Sequence, residues 1–246
     1  MNMESPLKKL ALVTGANKGI GFEVARQLAA SGCRVFLGAR DKVRGEVAAA
    51  TLQREGRDVR YLPIDLDDLA TIGAAYREIH ADFGHLDILV NNAGIAGQGD
   101  GLPSSCSLDA IERAFRVNFL GTVAVTQAML PLLRKASSAS IVNVSSGLGS
   151  LTKSGDPAWS HVAAKFLGYA ASKAALNMLT VQLAYELHGT SIKVNSVAPG
   201  YTATDLNQHR GTQSIPEGAA EIIRLALLAD DGPTGTFSSA HGIVPW

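Results

Sequence analysis

At 246 residues, 46% of them hydrophobic and 18% charged, the chain can bury a sizeable core in one unit of the length that open α/β sheets often reach. Its 22 basic and 22 acidic side chains leave a formal charge of zero, which argues against a nucleic-acid or anionic-membrane partner. Cys33 and Cys106 are too few for a disulfide framework, no run approaches the ~20 apolar residues of a membrane span, and the leading MNMESPLKK has no apolar signal core. The expectation is a soluble, cytoplasmic protein in a reducing compartment.

The elements alternate along the chain. A strand over 9–14 runs into a glycine-rich turn, Gly15-Ala-Asn17-Lys18-Gly19-Ile20-Gly21, and then an amphipathic helix over 20–31. Cys33, read as a small core residue, opens a strand over 34–38 that ends at Ala39-Arg40-Asp41, and a helix follows over 42–54. A strand over 59–64 ends at Asp65-Leu66 and gives way to a helix over 68–82. The strand over 87–91 delivers Asn91-Asn92-Ala93-Gly94, and helices over 107–117 and 119–135 flank Asn118. A strand over 140–145 ends at Ser145-Ser146, and a helix over 163–188 carries Tyr169 and Lys173. The strand over 191–197 leads to Pro199-Gly200, Thr202 and Thr204, before a helix over 217–229 and a short strand near 235–238. Strand–helix alternation with apolar strands predicts an α/β, doubly wound parallel sheet with helices on both faces. No linker or repeat divides it, so residues 1–246 read as a single domain.

Two local patterns carry chemistry. Tyr169 and Lys173 stand four apart on one helix face, so an ammonium can sit beside a phenol. A free tyrosine titrates near ~10, and a nearby cation favours the phenolate, making the phenol a usable acid or base. Such pairs also decorate solvated helices, so the pair alone decides little. The strand, glycine turn and helix start over 10–31 make a phosphate cradle: glycines allow close backbone approach, and the helix N-terminus offers free N–H groups. Its spacing is G-x-x-x-G-x-G, not G-x-G-x-x-G.

Together these segments resemble the short-chain dehydrogenase/reductase family, and further matches follow in the family's order. Thr14–Gly21 fits its T-G-x-x-x-G-I-G turn, Asn91–Gly94 its N-N-A-G segment, and Asn118 its helix asparagine. Ile141–Ser146 fits its serine strand, Tyr169 and Lys173 its Y-x-x-x-K, and Pro199, Gly200 and Thr204 its P-G-x-x-x-T loop. The likeness spans about residues 8–232 and implies a Rossmann-type fold, a nicotinamide cofactor and a small carbonyl or alcohol substrate. It implies cofactor contacts from Gly15, Asn17, Lys18, Gly19, Ile20 and Gly21, from Asp65 and Leu66, from Asn92, Ala93 and Gly94, and from Tyr169, Lys173, Pro199, Gly200, Thr202 and Thr204. In the family, an acid that grips the ribose of NAD falls at the position of Ala39. A small residue there followed by Arg40, with Lys18 aimed at the same corner, implies NADP(H), although Asp41 could turn its carboxylate inward.

The resemblance assigns four roles. Tyr169 protonates the carbonyl oxygen, Lys173 lowers the phenol's pKa and holds the nicotinamide ribose, and Ser146 hydrogen-bonds the same oxygen. Asn118 holds a water that links Lys173 to solvent. Ser145 competes with Ser146, but alternation turns only one of them to the site, and family position favours Ser146. One departure stands out: Tyr169 follows Ser146 by 23 positions, where many members have about a dozen. The surplus of roughly ten lies within Gly149–Leu167, which holds Asp156-Pro157, Trp159 and His161 and borders the substrate cleft or a neighbouring subunit. It leaves monomer, dimer and tetramer open, and Trp159 reads as a packing anchor or a substrate contact. Substrate lining is expected from 95–103, 148–166 and 201–216.

Other signals carry less. The Asn143-Val-Ser145 sequon falls in a buried strand, the six histidines lack metal-ligand spacing, and no G-x-S-x-G elbow supports a hydrolase. Three readings remain: a ketone or aldehyde reductase, an enzyme of a specialised metabolite (a 3-oxoacyl thioester, a steroid or a sugar alcohol), and a non-enzymatic NADP-binding regulator. The proton-donor set disfavours the last.

Overall fold

The computed structural model describes residues 8–246; most of the leading segment read above lies outside them. The strands are β1 (Leu10–Thr14), β2 (Arg34–Ala39), β3 (Val59–Pro63), β4 (Ile88–Asn91), β5 (Ala139–Val144), β6 (Ile192–Val197), β7 (Phe237–Ser239) and β8 (Gly242–Ile243). They form one sheet in the order β3-β2-β1-β4-β5-β6-β7-β8, parallel as far as β7. The fold is therefore α/β and doubly wound. The final pair, β7 and β8, is antiparallel, which the sequence reading missed. Two strands this short, joined across Ala240-His241 with Gly242 at φ +109°, leave too few residues for a periodic pattern.

The helices are α1 (Gly19–Ala30), α2 (Lys42–Arg54), α3 (Leu69–Asp82), α4 (Leu108–Phe115), α5 (Thr122–Leu133), α6 (Leu151–Ser154), α7 (Leu167–Glu186) and α8 (Ile215–Ala226). Period-2 alternation along β1 sorts the core. Ala11 and Val13 face one way with Val35 and Leu37, against Val24 and Leu28 of α1, Leu52 of α2 and Ile222 of α8. Leu10 and Leu12 face the other way with Phe36, against Ile79 of α3, Met129 of α5 and Leu183 of α7. Each such side chain fully buried stabilises by roughly 1.5–3 kcal/mol before ordering costs. Cys33 is buried as expected, and burial pushes its thiol pKa up.

Two helix boundaries depart from expectation. The two helices expected around Asn118 are one path, in which α4 passes into α5 through a π-helical turn, Arg116–Gly121. The helix expected from 163 starts only at Leu167, because the preceding insertion folds as turns around the one-turn α6.

A polar row crosses the middle of the sheet. Asn91, Asn143 and Ser196 are register partners on β4, β5 and β6. Asn91 Nδ2 donates to Asn143 Oδ1 at 2.9 Å and to Thr126 Oγ1 on α5 at 3.0 Å. Asn143 Nδ2 donates to Thr180 Oγ1 on α7 at 2.8 Å, and Thr180 meets Ser196 Oγ at 2.7 Å. Asn143 is fully buried, as the reading of its sequon required. The row fixes strand register and seats α5 and α7 on the sheet. Asn143→Ala leaves partners unpaired and a small void, so it should lower unfolding free energy by about 2–4 kcal/mol. Urea denaturation measures this, and a loss below ~0.5 kcal/mol would show that the row does not hold the sheet.

Candidate active site

Strand order reverses between β1 and β4, so the crevice beyond their C-terminal ends lies at a topological switch point. Thr14, the last residue of β1, closes its floor. Its Oγ1 accepts from the amides of Asn92 at 3.0 Å and Ala93 at 3.1 Å, while Asn92 Nδ2 returns to the Thr14 carbonyl at 2.9 Å. Gly15 adopts φ +64°, and a Cβ there would lie 2.8 Å from Ala93 Cα. A Cβ on Gly21 would press on Asn92 and lie 2.6 Å from the Gly15 carbonyl oxygen. No side chain caps α1, so its first amides stay free beside the crevice. This backbone cradle fits a pyrophosphate, which a side chain at either glycine would exclude.

The crevice encloses about 670 Å³. Of the residues expected to hold a cofactor, it brings together Gly15, Asn17, Lys18, Gly19, Ile20, Gly21, Arg40, Asp65, Leu66, Asn92, Ala93, Gly94, Tyr169, Lys173, Pro199 and Thr204. Gly200 and Thr202 stand outside it. Thr202 is buried and its hydroxyl donates to the Pro199 carbonyl at 3.1 Å, so both shape their loop instead. Of the expected substrate-lining segments, Ile95 and Ala96 reach the crevice from one, Thr204, Asp205 and Leu206 from another, and nothing from 148–166.

At the β2 end, Ala39 is buried and Arg40 exposed. Asp41 also lines the crevice, with its carboxylate engaged on α2: Oδ1 accepts from the Arg44 amide at 2.9 Å as the helix cap, and Oδ2 lies 3.5 Å from Arg44 Nε. Arg44 lines the same corner, a second basic group that the sequence reading passed over although it follows Arg40 by one helical turn. Lys18 points elsewhere than expected. Its Nζ meets Asp205 Oδ2 at 2.5 Å across the crevice mouth, and Asp205 Oδ1 also meets His209 Nε2 at 2.8 Å. These partners hold the Asp205 carboxyl below the usual range, Lys18 first. The pair is exposed, and exposed pairs are weak tethers, so Lys18 remains free to exchange Asp205 for another anion.

Tyr169 and Lys173 lie one turn apart at the start of α7, with Lys173 Nζ 5.7 Å from the Tyr169 ring centroid. Lys173 is buried, and its ammonium donates to the Val144 carbonyl at 2.7 Å. Burial draws its pKa down to about 8. Burial also raises the Tyr169 pKa, and the hydrogen bond with Ser146 only partly offsets that rise. The expectation that Lys173 brings the phenol below its ordinary value is therefore corrected: desolvation wins at this phenol. Ser146 is the serine that meets Tyr169. Ser145 is buried, donates to the Lys173 carbonyl at 3.3 Å and reaches the crevice wall from the end of β5.

Asn118 is tied to the protein on three sides. Its Oδ1 accepts from the Ile95 amide at 2.8 Å, and its Nδ2 donates to the Ile95 carbonyl and to Ser172 Oγ, both at 2.9 Å. Both amide hydrogens are thus used, and a second lone pair on Oδ1 is what is left to accept from a water. Asn118 clamps the 92–96 loop to α7. Trp159 packs over the 147–149 turn, where a Cβ on Gly147 would lie 3.2 Å from its ring. Its ring is 5.5 Å from His161, which is 5.8 Å from Tyr201, so an aromatic row bridges the insertion to the 201 loop beside Ser146. Among the described residues, no cluster of three or more His, Cys, Asp or Glu is placed to hold a metal, and no helix is long and apolar enough to cross a membrane.

Comparison with known proteins places this arrangement. The family model described as short chain dehydrogenase matches residues 9–214. (+)-Neomenthol dehydrogenase of Arabidopsis thaliana is 33% identical, with 97% of this chain and 98% of that one aligned. Carbonyl reductase [NADPH] 1 of Mus musculus is also 33% identical, over 98% of this chain and all of the other. The structure of NADPH-bound carbonyl reductase from chicken fatty liver superposes with a TM-score of 0.84 at 28% identity, covering 98% of this chain and 99% of that one.

The buried ammonium has a measurable consequence. With its pKa near 8 instead of the ordinary 10.5, Lys173 should titrate about two pH units before the other lysines in NMR of lysine-labelled, ligand-free protein. Between those two values the unfolded chain holds a proton that the native state has lost, so stability should rise with pH across that window. Lys173→Met should abolish the rise. A Lys173 signal that titrates with the bulk lysines would contradict the desolvation argument.

Proposed function

Because the chain belongs to the short-chain dehydrogenase family, we propose that it is an NADPH-dependent reductase of ketones or aldehydes, with binding and chemistry in one domain over residues 1–246. The observation that carries this reading is the pairing of Tyr169 with Lys173 in a crevice floored by a glycine cradle, with Ser146 beside the phenol. The two free thiols suit a reducing compartment, and we place the protein in the cytoplasm.

Bound NADPH supplies a hydride to the carbonyl carbon. The amides of Gly19, Ile20 and Gly21 would hold its pyrophosphate at the start of α1. Arg40, with Arg44 beside it and Lys18 once released from Asp205, would hold the 2′-phosphate by charge-assisted hydrogen bonds. Ala39 offers no carboxylate to repel it. Lys173 would direct its ammonium at the nicotinamide ribose while keeping the Val144 carbonyl as its fixed partner.

The reacting carbonyl oxygen would lie between Tyr169 and Ser146. Its charge grows as hydride arrives, and preorganised donors at that point are worth more in a dry site than in water. Tyr169 gives up its phenolic proton to that oxygen, and the Lys173 cation beside it stabilises the phenolate left behind. The mouse relative is named for a carbonyl substrate and NADPH, and the Arabidopsis relative for a cyclic alcohol. The Arabidopsis name supports a carbonyl borne on a ring-containing skeleton.

The test is NADPH oxidation against a panel of carbonyl compounds, followed by the absorbance of the reduced nicotinamide. Tyr169→Phe should lower turnover by ~10²–10⁴-fold and leave NADPH affinity within about twofold, since only the proton donor is lost. Retention of a tenth of parental turnover would remove Tyr169 from the role. Arg40→Ala should raise the KM for NADPH by roughly ten- to hundredfold and leave that for NADH unchanged. If the parent uses NADH equally well, the 2′-phosphate site is misassigned.

A further inference from the structure

The helix that carries Tyr169 lacks a local cap. Phe166, at the capping position of α7, offers no side-chain acceptor, and the first-turn amides are met from a distant loop. The Gly168 amide donates to Asp100 Oδ1 at 2.9 Å and the Tyr169 amide donates to Asp100 Oδ2 at 2.8 Å. The Leu167 amide donates to the Gly101 carbonyl at 3.1 Å. Asp100 Oδ1 also accepts from the Gly101 amide at 2.9 Å, which orients the carboxylate. Contact is close enough to demand glycine at 168, where a Cβ would lie 2.9 Å from Ile111 Cα and 3.3 Å from Asp100 Oδ2.

The same loop is gripped at its other end. Asn118 clasps the Ile95 amide and carbonyl and donates to Ser172, whose hydroxyl donates to the Tyr169 carbonyl at 2.7 Å. Tyr169 is thus held at its own N–H by Asp100 and at its own C=O through Ser172. Between these two grips lie Ile95 and Ala96, which line the crevice. A helix cap taken from this loop ties the placement of the phenol to the wall against which a substrate would rest.

We propose that Asp100 is a positioning residue for Tyr169: its carboxylate caps α7 from the 95–101 loop and sets where the phenol stands relative to the crevice wall. The proposal rests on the carbonyl-reductase reading above. A negative group at a helix N-terminus also stabilises the helix, so the experiment must separate stability from placement.

Five proteins suffice: the parent, Asp100→Ala, Asp100→Asn, Asp100→Ala combined with Phe166→Asp, and Phe166→Asp alone as control. Phe166 is 45% exposed, so an aspartate there can supply a local cap without disturbing packing. Asp100→Ala should lower kcat by about 10- to 100-fold, with NADPH affinity within about twofold of the parent. Asp100→Asn, which keeps one acceptor oxygen, should recover at least a third of parental kcat. The double variant should recover the thermal midpoint and leave kcat low, because a local cap restores the helix but not its tie to the loop. Recovery of kcat in the double variant, or parental kcat in Asp100→Ala, would overturn the proposal.

Amide hydrogen exchange gives a readout independent of turnover. The Gly168 and Tyr169 amides should exchange at least tenfold faster in Asp100→Ala and stay protected in the parent, while Asp100→Asn, with a single acceptor oxygen, should keep one of the two protected. Unchanged protection in Asp100→Ala would overturn the proposal. If the parent oxidises no NADPH with any carbonyl, the functional reading fails, and the exchange arm still decides whether Asp100 holds Tyr169.

Discussion

The buried ammonium of Lys173 is the constraint around which the site is organised. Removing a lysine from water disfavours its charge, and the structure answers with one fixed acceptor, the Val144 carbonyl at 2.7 Å. To place Nζ there, α7 must run against the end of β5 at backbone distance. A Cβ on Gly149 would lie 2.8 Å from the Lys173 carbonyl carbon, so glycine is required where the 147–149 turn passes the helix. Ser145 and Asn177 then stitch the two together, Ser145 Oγ to the Lys173 carbonyl and Asn177 Nδ2 to the Gly149 carbonyl at 3.2 Å. Gly94 completes the pocket from the other side, where a Cβ would lie 3.3 Å from Nζ. Each of these residues is explained by where one cation has to be.

That placement in turn depends on register. Strands β4, β5 and β6 present Asn91, Asn143 and Ser196 side by side, and their hydrogen bonds reach α5 and α7. A slip of one residue would turn Asn143 out of the row and carry Val144 and Ser146 off their partners, because side chains alternate faces. The polar row therefore gives a specificity that the surrounding apolar contacts, tolerant of small shifts, do not supply. It lies on the C-terminal side of the sheet, where the crevice opens.

How far the sequence could be read follows from the range of each interaction. The strand runs and the glycine turn are local patterns, and the structure places them within a residue or two. The pairing of Tyr169 with Lys173 is also local, fixed by helical spacing. What escaped depended on partners far along the chain: Lys18 finds Asp205, Tyr169 finds Asp100, and the insertion docks through Ser150 and Thr152 on the carbonyls of Pro245 and Trp246. The π-helical turn escaped for a different reason. It adds one residue to a helix without changing its composition, and only the tertiary clasp of Asn118 on Ile95 and Ser172 marks its place. Arg44 could have been found, since a basic residue in the first turn after Arg40 faces the same corner.

Burial acts on both titrating groups of the site, and in the same sense chemically: it favours the neutral phenol of Tyr169 and the neutral amine of Lys173. The two effects stop at different points. Lys173 falls only to about 8, so at neutral pH it still carries its charge. Tyr169 moves above its ordinary value and keeps its proton. The pair at neutral pH is therefore a protonated phenol beside an ammonium, the state needed to give a proton to a carbonyl oxygen as it gains charge. Ser146, whose hydrogen bond opposes the rise at Tyr169, limits how far the phenol is driven from use as an acid. The same desolvation that makes the lysine costly to bury thus also keeps the phenol beside it protonated.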